Sequence, residues 1–311
     1  MSRFVISLLL ISPLVLLTGC DIEEFGGINR QTEDFQRTLQ MKPGGRLSVE
    51  NFNGSIEIRG GEGDAVEISG VKQAPTRELL EAMKIDIVSG ADYVRIRTVR
   101  PTERRGNLGA RYVIRVPRRT ELDRIETSNG SIRVETIEGS ARLRTSNGSI
   151  RLDRLKGAVE AQTSNASIEL LEPGGAAILR TSNGSIRADG VRGAFDATTS
   201  NSRIEARVVE PEAHKPIKLV TSNGSVNLTV DSLNDNEIRA STTNSSITLR
   251  LPPSLNAKVI ARTSNGGIQS DYDFTVKGGQ VSKHYLEGTL GSGGPLIDLT
   301  TSNGSVRLMK R

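Results

Sequence analysis

The 311-residue chain carries 41 basic and 36 acidic side chains, a formal net charge of +5, and only 3% aromatic residues with no tryptophan. This charge balance does not indicate a nucleic-acid-binding protein, and so few aromatic residues do not line a cleft of the kind that polysaccharide-cleaving solenoids use. A single cysteine excludes a disulfide framework and a thiolate metal site.

Residues 1–19 have the composition of a secretory signal peptide. Arg3 precedes an apolar run from Phe4 to Leu17 that contains no acidic residue. The run ends in Leu17-Thr18-Gly19-Cys20, which resembles the lipobox of bacterial lipoproteins, in which the cysteine becomes the first residue and carries a diacylglyceryl group. The resemblance implies lipid attachment at Cys20. An ordinary cleaved signal and an uncleaved anchor helix are the alternatives.

The segment that follows is predicted to lead from the lipid into the fold. Residues 20–40 are polar and mixed in charge, which is typical of a tether. Residues 41–122 are predicted to form an N-terminal cap and the first coils. Pro75–Met83 is the only predicted helix, with Thr76 as its N-cap, and the turn at Ser89–Asp92 is predicted to join two strands of a hairpin.

The rest of the chain, residues 123–311, repeats the sequence Thr-Ser-Asn-Gly-Ser-Ile. The first four steps between copies have a spacing of 18, the next three have spacings of 22, 21 and 21, and the last has a spacing of 38, which leaves room for a loop or a degenerate copy. Such a period predicts a solenoid, because each unit must stack on its neighbours to bury its apolar side. The repeated asparagines are Asn129, Asn147, Asn165, Asn183, Asn201, Asn223, Asn244, Asn265 and Asn303.

Within a repeat, apolar residues alternate with charged ones in two short runs, as Ile150 and Leu152 do around Arg151. Each repeat is therefore predicted to hold two strands with one buried and one exposed face. A hexapeptide β-helix is excluded, because positions six apart in the sequence are not uniformly apolar. A calcium-binding β-roll is disfavoured, because the turns carry no carboxylate.

Stacking in register predicts an asparagine ladder with a repeat of about 4.8 Å. Because threonine and asparagine have the parity of the buried positions, the ladder is predicted to lie inside one corner, with glycine supplying the backbone freedom of the bend. This role is structural, so no ligand is assigned to the ladder. Three copies replace the glycine, with Ala166, Ser202 and Ser245, which predicts a turn that is not uniform along the stack.

The order of these pieces resembles the bacterial putative-adhesin family of unknown function, which is similar to the head domains of autotransporter adhesins. The resemblance covers about residues 36–311 and implies a parallel β-helix. It supplies no catalytic or ligand residues. The segments that carry it are Asn51–Ile58, Tyr112–Pro117, Asn129–Ile132, the serial copies of the repeat, Leu249–Pro253 and Gly291–Gly294.

One stretch is unbalanced in charge: Arg95–Arg124 holds ten arginines and three acids. These arginines either protect a strand edge from pairing or contact anionic lipid or glycan. His214 and His284 are predicted to be solvated loop residues, so no metal site and no cofactor are expected. The candidate anionic-ligand patch consists of Arg95, Arg97, Arg104, Arg105, Arg111 and Arg115.

The sequence thus predicts an all-β protein, a single-stranded parallel β-helix (β-solenoid) with a coil length of about 18–22 and a small N-terminal cap containing one short helix. The predicted function is that of a non-enzymatic, lipid-anchored binding module of the cell envelope, adhesin-like or a scaffold, on the periplasmic face or the cell surface. A periplasmic envelope sensor or accessory subunit is the second hypothesis, and a polysaccharide-active enzyme the third. Expected partners are the membrane and a protein, lipid or glycan, but not nucleic acid.

Overall fold

The computed structural model describes residues 30–102, 106–276 and 281–311. Their elements are almost all short strands. In chain order they are β1 Gln31–Gln40, β2 Arg46–Glu50, β3 Ile56–Gly61, β4 Ala65–Ala74, α1 Arg77–Ala82, β5 Lys84–Ser89, β6 Tyr93–Val99, β7 Gly109–Pro117, β8 Glu121–Glu126, β9 Ile132–Ile137, β10 Ala141–Arg144, β11 Ile150–Leu155, β12 Val159–Gln162, β13 Ile168–Leu171, β14 Ala177–Arg180, β15 Ile186–Val191, β16 Phe195–Thr198, β17 Ile204–Val208, β18 Ile217–Val220, β19 Val226–Val230, β20 Ile238–Ser241, β21 Ile247–Leu251, β22 Ala257–Arg262, β23 Ile268–Ser270, β24 Tyr285–Leu290, β25 Leu296–Thr300 and β26 Val306–Lys310.

The strands form two long sheets that face each other. Among the described residues, sheet A has the order β1-β4-β7-β3-β9-β11-β13-β15-β17-β19-β21-β26-β23, and sheet B has the order β24-β22-β25-β20-β18-β16-β14-β12-β10-β8-β2-β6-β5. Between the described strands, pairing is parallel along the stack and antiparallel only at β1, β4, β5 and β24. Each coil contributes one strand to each sheet, so the predicted all-β parallel β-helix is confirmed.

Stacking in register explains why the alternating pattern recurs at every coil. Ile150 pairs with Ile132 on one side and with Ile168 on the other. All three isoleucines are buried, whereas Arg151 beside them is exposed. Because side chains alternate between the faces of a strand, one apolar column runs down the inside of each sheet. The two sheets thereby share one continuous aliphatic core.

At the bend of the repeat motif, the buried polar residue is threonine. Each threonine hydroxyl donates to the carbonyl of the preceding coil's bend, at 2.8–3.0 Å. These hydroxyls form a second ladder, inside the corner. The threonines are Thr127, Thr145, Thr163, Thr181, Thr199, Thr221, Thr242, Thr263 and Thr301, all buried.

The asparagine ladder exists, but the prediction that it lies inside the corner is wrong. Each Asn side chain in the series is exposed, and from Asn147 onward its Nδ2 donates to the Oδ1 of the asparagine in the neighbouring coil at 2.6–2.7 Å. The chain turns between threonine and asparagine, so strand parity does not carry across the bend. Threonine therefore points inward and asparagine outward.

The role predicted for glycine is also corrected. Gly148 lies outside the left-handed region, and a Cβ there would approach the Gly130 carbonyl oxygen to 1.8 Å. Most glycines of the motif thus allow neighbouring backbones to stack closely and do not supply a positive φ, whereas Gly54 does both, with φ +113 and a Cβ that would lie 2.1 Å from the Ala110 carbonyl oxygen. Where the motif has Ala166, the Thr181 hydroxyl still donates to its carbonyl at 3.0 Å. The bend therefore keeps its threonine bond where glycine is replaced.

Both ends of the stack are interlocked. The first coil, β2 and β3, lies between β6–β7 and β8–β9, so later strands flank it on both sides. The last coil, β25 and β26, is likewise inserted between β20–β21 and β22–β23. Asn303 accordingly stands between Asn244 and Asn265 in the ladder. Between Asn265 and Asn303 the chain thus completes one coil with β23 and adds the antiparallel strand β24. It then returns, and β25 and β26 fill the gap between the two preceding coils.

The tether prediction is wrong from Gln31 onward. Gln31–Gln40 forms β1, which pairs antiparallel with β4 along its whole length. Phe35 packs edge-on against Tyr112, with ring centroids 5.9 Å apart, and lies directly over Gly70. The sequence indicated a spacer because β1 is an outer strand with most of its side chains in solvent, so it lacks an alternating apolar pattern.

The predicted helix and hairpin of the cap are confirmed. The helix α1 begins after Thr76, whose side chain accepts a hydrogen bond from the Leu79 amide, and it buries Leu80. The hairpin pairs β5 with β6, with Ile87 opposite Ile96. In the part of the chain that the structure describes, no helix is long and apolar enough to span a membrane.

The core predicts a sharp contrast between two adjacent residues of β11. Replacing buried Ile150 by Asp places a charge between the sheets and is expected to lower the free energy of unfolding by several kcal/mol. Replacing exposed Arg151 by Ala is expected to change it by less than about 0.5 kcal/mol. Denaturant unfolding followed by circular dichroism measures both, and similar losses would contradict the assignment of inner and outer faces.

The two ladders predict a second contrast. In Thr163→Val the carbonyl of Gly148 loses its buried donor, so we expect a loss of about 1–3 kcal/mol in unfolding free energy. In Asn165→Ala the freed amides of the neighbouring coils face water, so the loss should stay within about 1 kcal/mol. The same unfolding assay ranks them. A larger loss in Asn165→Ala would show that the outer ladder, not the threonine hydroxyl, holds the bend.

Candidate functional site

The bend opposite the threonine–asparagine corner holds a groove of about 1000 Å3. It arises from coil length. The coils between Asn129 and Asn201 have a length of 18 and turn from sheet A to sheet B in a short connection, whereas the next coil has a length of 22 and a longer connection from Val208 to Ile217. A concave surface is therefore left beside the longer loop. We call it the bend groove; it extends from Arg118 to Val209.

A column of left-handed residues forms the tight bends of this groove. Thr136, Arg154 and Glu172 have φ of 59°, 53° and 49°, and Gly190 at the same position of the next coil has φ of 77°. For a residue with a Cβ this conformation costs on the order of 1 kcal/mol. Backbone bonds between coils hold it, for example from the Gly174 amide to the Leu155 carbonyl at 2.7 Å. Of these four residues, only Gly190 is of a type that indicates a left-handed conformation in the sequence.

The groove is lined by charged side chains, most of which are paired. Lys156 Nζ lies 2.8 Å from Glu138 Oε1, and this hydrogen bond, followed by the charge of Lys156, lowers the pKa of the Glu138 carboxyl. Arg192 pairs with Glu210, and an Arg154 Nη lies 2.9 Å from an Asp153 carboxylate oxygen. All of these groups are exposed or half-buried, so the pairs set the charge pattern more than they add stability.

The structure does not bring the candidate arginine patch together on one face. Arg95 and Arg97 lie on β6, on the outer side of sheet B, whereas Arg111 and Arg115 lie on β7, on the outer side of sheet A. Arg97 lies 4.0 Å from Glu50 and Arg115 lies 3.7 Å from Glu67. Arg104 and Arg105 lie outside the described residues, as does Cys20. A role for this patch stays a prediction.

The two histidines lie in exposed connections. His214 is in the long loop after β17, with φ of 60°. The sequence predicted only a solvated loop residue at His284, but the Nδ1 of its ring also donates a hydrogen bond to the Gly266 carbonyl at 2.7 Å. It thereby takes the place of the threonine hydroxyl that a further coil would supply. In the described ranges, no group of three or more His, Cys, Asp or Glu side chains is arranged to hold a metal ion.

Several solved structures are similar to the chain. A putative cell adhesion protein from Clostridium sporogenes shares 11% identity, with 90% of this chain and 100% of that chain covered and a TM-score of 0.24. A putative adhesin from Bacteroides fragilis shares 12%, covering 90% and 97%, with a TM-score of 0.25. Another from Parabacteroides distasonis shares 9%, covering 90% and 97%, with a TM-score of 0.33. With such low TM-scores these likenesses carry no argument about this chain.

No curated protein matches the chain. One family model does match it, over residues 45–309. This range begins just before β2 and takes in both interlocked ends and every copy of the repeat motif from Asn53 onward, but not β1. The chain therefore belongs to the family described as Toastrack DUF4097.

Proposed function

We propose that the protein is a non-enzymatic, lipid-anchored protein of the cell envelope that acts outside the cytoplasm as an adhesin-like or scaffold binding module. The observation that carries this proposal is the stack itself. In the described residues, eleven strands of each sheet run parallel, and at about 4.8 Å per step they make a body roughly 50 Å long. Two side-chain ladders and the backbone tie its coils together. Such a rod is suited to holding binding surfaces away from a membrane.

The position of β1 supports an anchored arrangement. This strand begins at Gln31, a short distance along the chain from Cys20, and an extended segment between the two reaches at most about 40 Å. It lies at the outer edge of sheet A, at the capped end of the rod. A lipid on Cys20 would therefore keep the capped end near the bilayer and leave the end with β23 and β24 farther away.

The ionisable groups support binding over catalysis. A general acid at neutral pH needs a raised pKa. The described carboxylates with a clear pKa shift, Glu138 and Glu287, are shifted downward by hydrogen bonds from neighbouring side chains, Lys156 for the first and Tyr285 with Lys258 for the second. A polysaccharide-active enzyme is accordingly the least favoured of the three hypotheses.

The second candidate is a periplasmic sensor or accessory subunit that contacts anionic lipid or glycan through the arginine patch. Four of its arginines are exposed at the capped end of the rod, the end that the lipid would hold near a membrane. Their division between two faces limits this candidate, because a flat bilayer touches only one face of a rod at a time.

Lipidation predicts that Cys20→Ser releases the protein. We expect the variant to leave the membrane fraction and to lose metabolic labelling with a radioactive fatty acid, because the thiol is the attachment point. Fractionation and labelling of cells expressing each form measure this, with Ser2→Ala as the matched control. Membrane retention without label in the unaltered protein would contradict lipid anchoring at Cys20.

The proposed function is tested on intact cells. An adhesin-like protein must be digested by externally added protease, whereas a periplasmic sensor must be protected until the envelope is opened. Immunoblotting of treated cells against a periplasmic marker gives the answer. Digestion only after permeabilisation would favour the sensor hypothesis over the adhesin-like one.

The divided arginine patch predicts unequal effects of two double variants. One double variant is Arg95→Glu with Arg97→Glu, and the other is Arg111→Glu with Arg115→Glu. If the capped end binds anionic membranes, one of the two should reduce binding severalfold and the other should leave it nearly unchanged, because only one face of the rod meets the bilayer. Non-lipidated protein would be sedimented with anionic or neutral vesicles across a range of salt concentrations. Binding that is indifferent to salt and to both variants rules out the patch as a lipid contact.

A further inference from the structure

The bend groove has an ordered charge pattern. One column along it reads Glu138, Lys156, Gly174, Arg192 and Glu210, with a constant spacing of 18 in the sequence. Lys156 is held by Glu138 on the preceding coil and Arg192 by Glu210 on the following coil. The acids thus lie on the outer sides, and the two cations flank the position of Gly174, which has no side chain. Two coil steps separate these cations, or about 10 Å.

A single carboxylate lies between them. Glu172 is on the same coil as Gly174 and is exposed, and its left-handed φ of 49° places it at the tight bend. Its column neighbour Arg154 pairs with Asp153 and donates to the Thr136 hydroxyl at 3.4 Å, on the preceding coil. Among the described residues, no basic side chain is paired with Glu172. The centre of the groove therefore presents two cations around one free anion.

The size of the groove and its partly apolar lining fit a polymer that lies along the stack. Leu171 and Val209 are half-buried in it and Pro173 is buried. The coils from Glu138 to Glu210 span four steps, or about 19 Å. This distance accommodates about six residues of extended polypeptide at about 3.3 Å each.

We propose that the bend groove binds an extended peptide segment whose alternate side chains are acidic, basic and acidic. In an extended strand, residues i, i+2 and i+4 project from one face, so the two acids face Lys156 and Arg192 while the central base faces Glu172. The two acids of the peptide are then about 13 Å apart, which is more than the two coil steps between Lys156 and Arg192. The long side chains of these two residues bridge the difference. This inference deepens the proposed function, on which it rests, by naming the binding site and the chemistry of the partner.

A polyanionic glycan fits the same groove less well. Its repeated negative charges would be repelled by Glu172, which lies between the two cations. Asp153 and Asp189, also in the lining, are paired with Arg154 and Arg207, so Glu172 is the acid of the described lining that no basic side chain neutralises. A peptide of mixed charge satisfies both signs at once, and its apolar side chains can contact Leu171 and Val209.

The experiment uses the full-length protein in detergent and three fluorescein-labelled, C-terminally amidated peptides. The first is Ala-Asp-Ala-Lys-Ala-Asp-Ala, the second has every charge inverted, and the third permutes the first to Ala-Asp-Ala-Asp-Ala-Lys-Ala. Fluorescence anisotropy at low salt measures the dissociation constants. We expect the first peptide to bind at least tenfold more tightly than the second and severalfold more tightly than the third. Equal affinities for the three peptides, or no binding at all, overturn the proposal.

A charge-swapped variant sharpens the test. Lys156→Glu with Glu172→Lys and Arg192→Glu should prefer the inverted peptide by a similar factor. The matched control is Arg142→Glu with Glu160→Lys and Arg180→Glu, which changes the net charge equally on the outer face of sheet B and should keep the original preference. Glu172→Gln alone, at an exposed position, should lose most of the discrimination without affecting the fold, which circular dichroism checks.

The alternatives give distinct results. Tighter binding of dextran sulfate to Glu172→Gln than to the unaltered protein, together with no peptide preference, would overturn the proposal and make the groove a polyanion site. If the control variant also came to prefer the inverted peptide, the proposal would be overturned too, because the change in net charge alone would then explain the preference. Loss of peptide preference in a protein that external protease still reaches on cells would leave the proposed function standing and remove only this site.

Discussion

The buried hydrogen bond from a threonine hydroxyl to the preceding coil is the interaction on which the rest of the structure depends. At the bends of the repeat motif a backbone carbonyl is turned toward the corner, and the threonine hydroxyl of the next coil reaches it at 2.8–3.0 Å, except at Gly266, where the His284 ring does so. An unpaired buried carbonyl costs about 1–3 kcal/mol, so each coil is held to one register. A slip of one residue would also exchange the inner and outer faces of both strands, and the aliphatic core would be exposed.

This hydrogen bond constrains only the threonine–asparagine corner of each coil, and it therefore explains where the length of the coils varies. The threonine corner keeps its length in every coil, because the two ladders require identical spacing along the stack. Extra residues therefore fall in the opposite bend, as between Val208 and Ile217. Differences in length create the groove there, whereas the threonine–asparagine edge is a regular row of uncharged side chains. The rigid edge and the variable bend are thus consequences of the same hydrogen bond, and the variable bend is where a binding surface can be built without disturbing the core.

Much of the fold could be predicted from the sequence, because its determinants are local and repeated. The alternation around Ile150 and the cap at Thr76 each specify an element by short-range rules, and stacking then copies the result from coil to coil. The direction of Thr127 and Asn129 could not be predicted in this way. The two residues have the same parity, but the backbone turns between them, and the dihedral angles of a bend are not encoded in a period-two pattern. Other features depend on distant parts of the chain: the polar segment Gln31–Gln40 becomes a strand only because β4 offers it an edge. The groove could not be predicted for the same reason, because the signs of its charges matter only once stacking places Lys156, Glu172 and Arg192 on consecutive coils.

The arrangement of charge on the outer faces has a physical logic of its own. Arg151 pairs with Glu169 and Arg142 with Glu160, in each case one coil further along the chain. Identical charges at every coil would repel at about 4.8 Å, so acids and bases are mixed along the exposed columns. Exposed pairs add little stability each, but together they remove that repulsion. In the bend groove this mixing is incomplete, because Glu172 has no basic partner among the described residues while Lys156 and Arg192 on the neighbouring coils are each paired with an acid, and the proposed peptide site rests on that local arrangement.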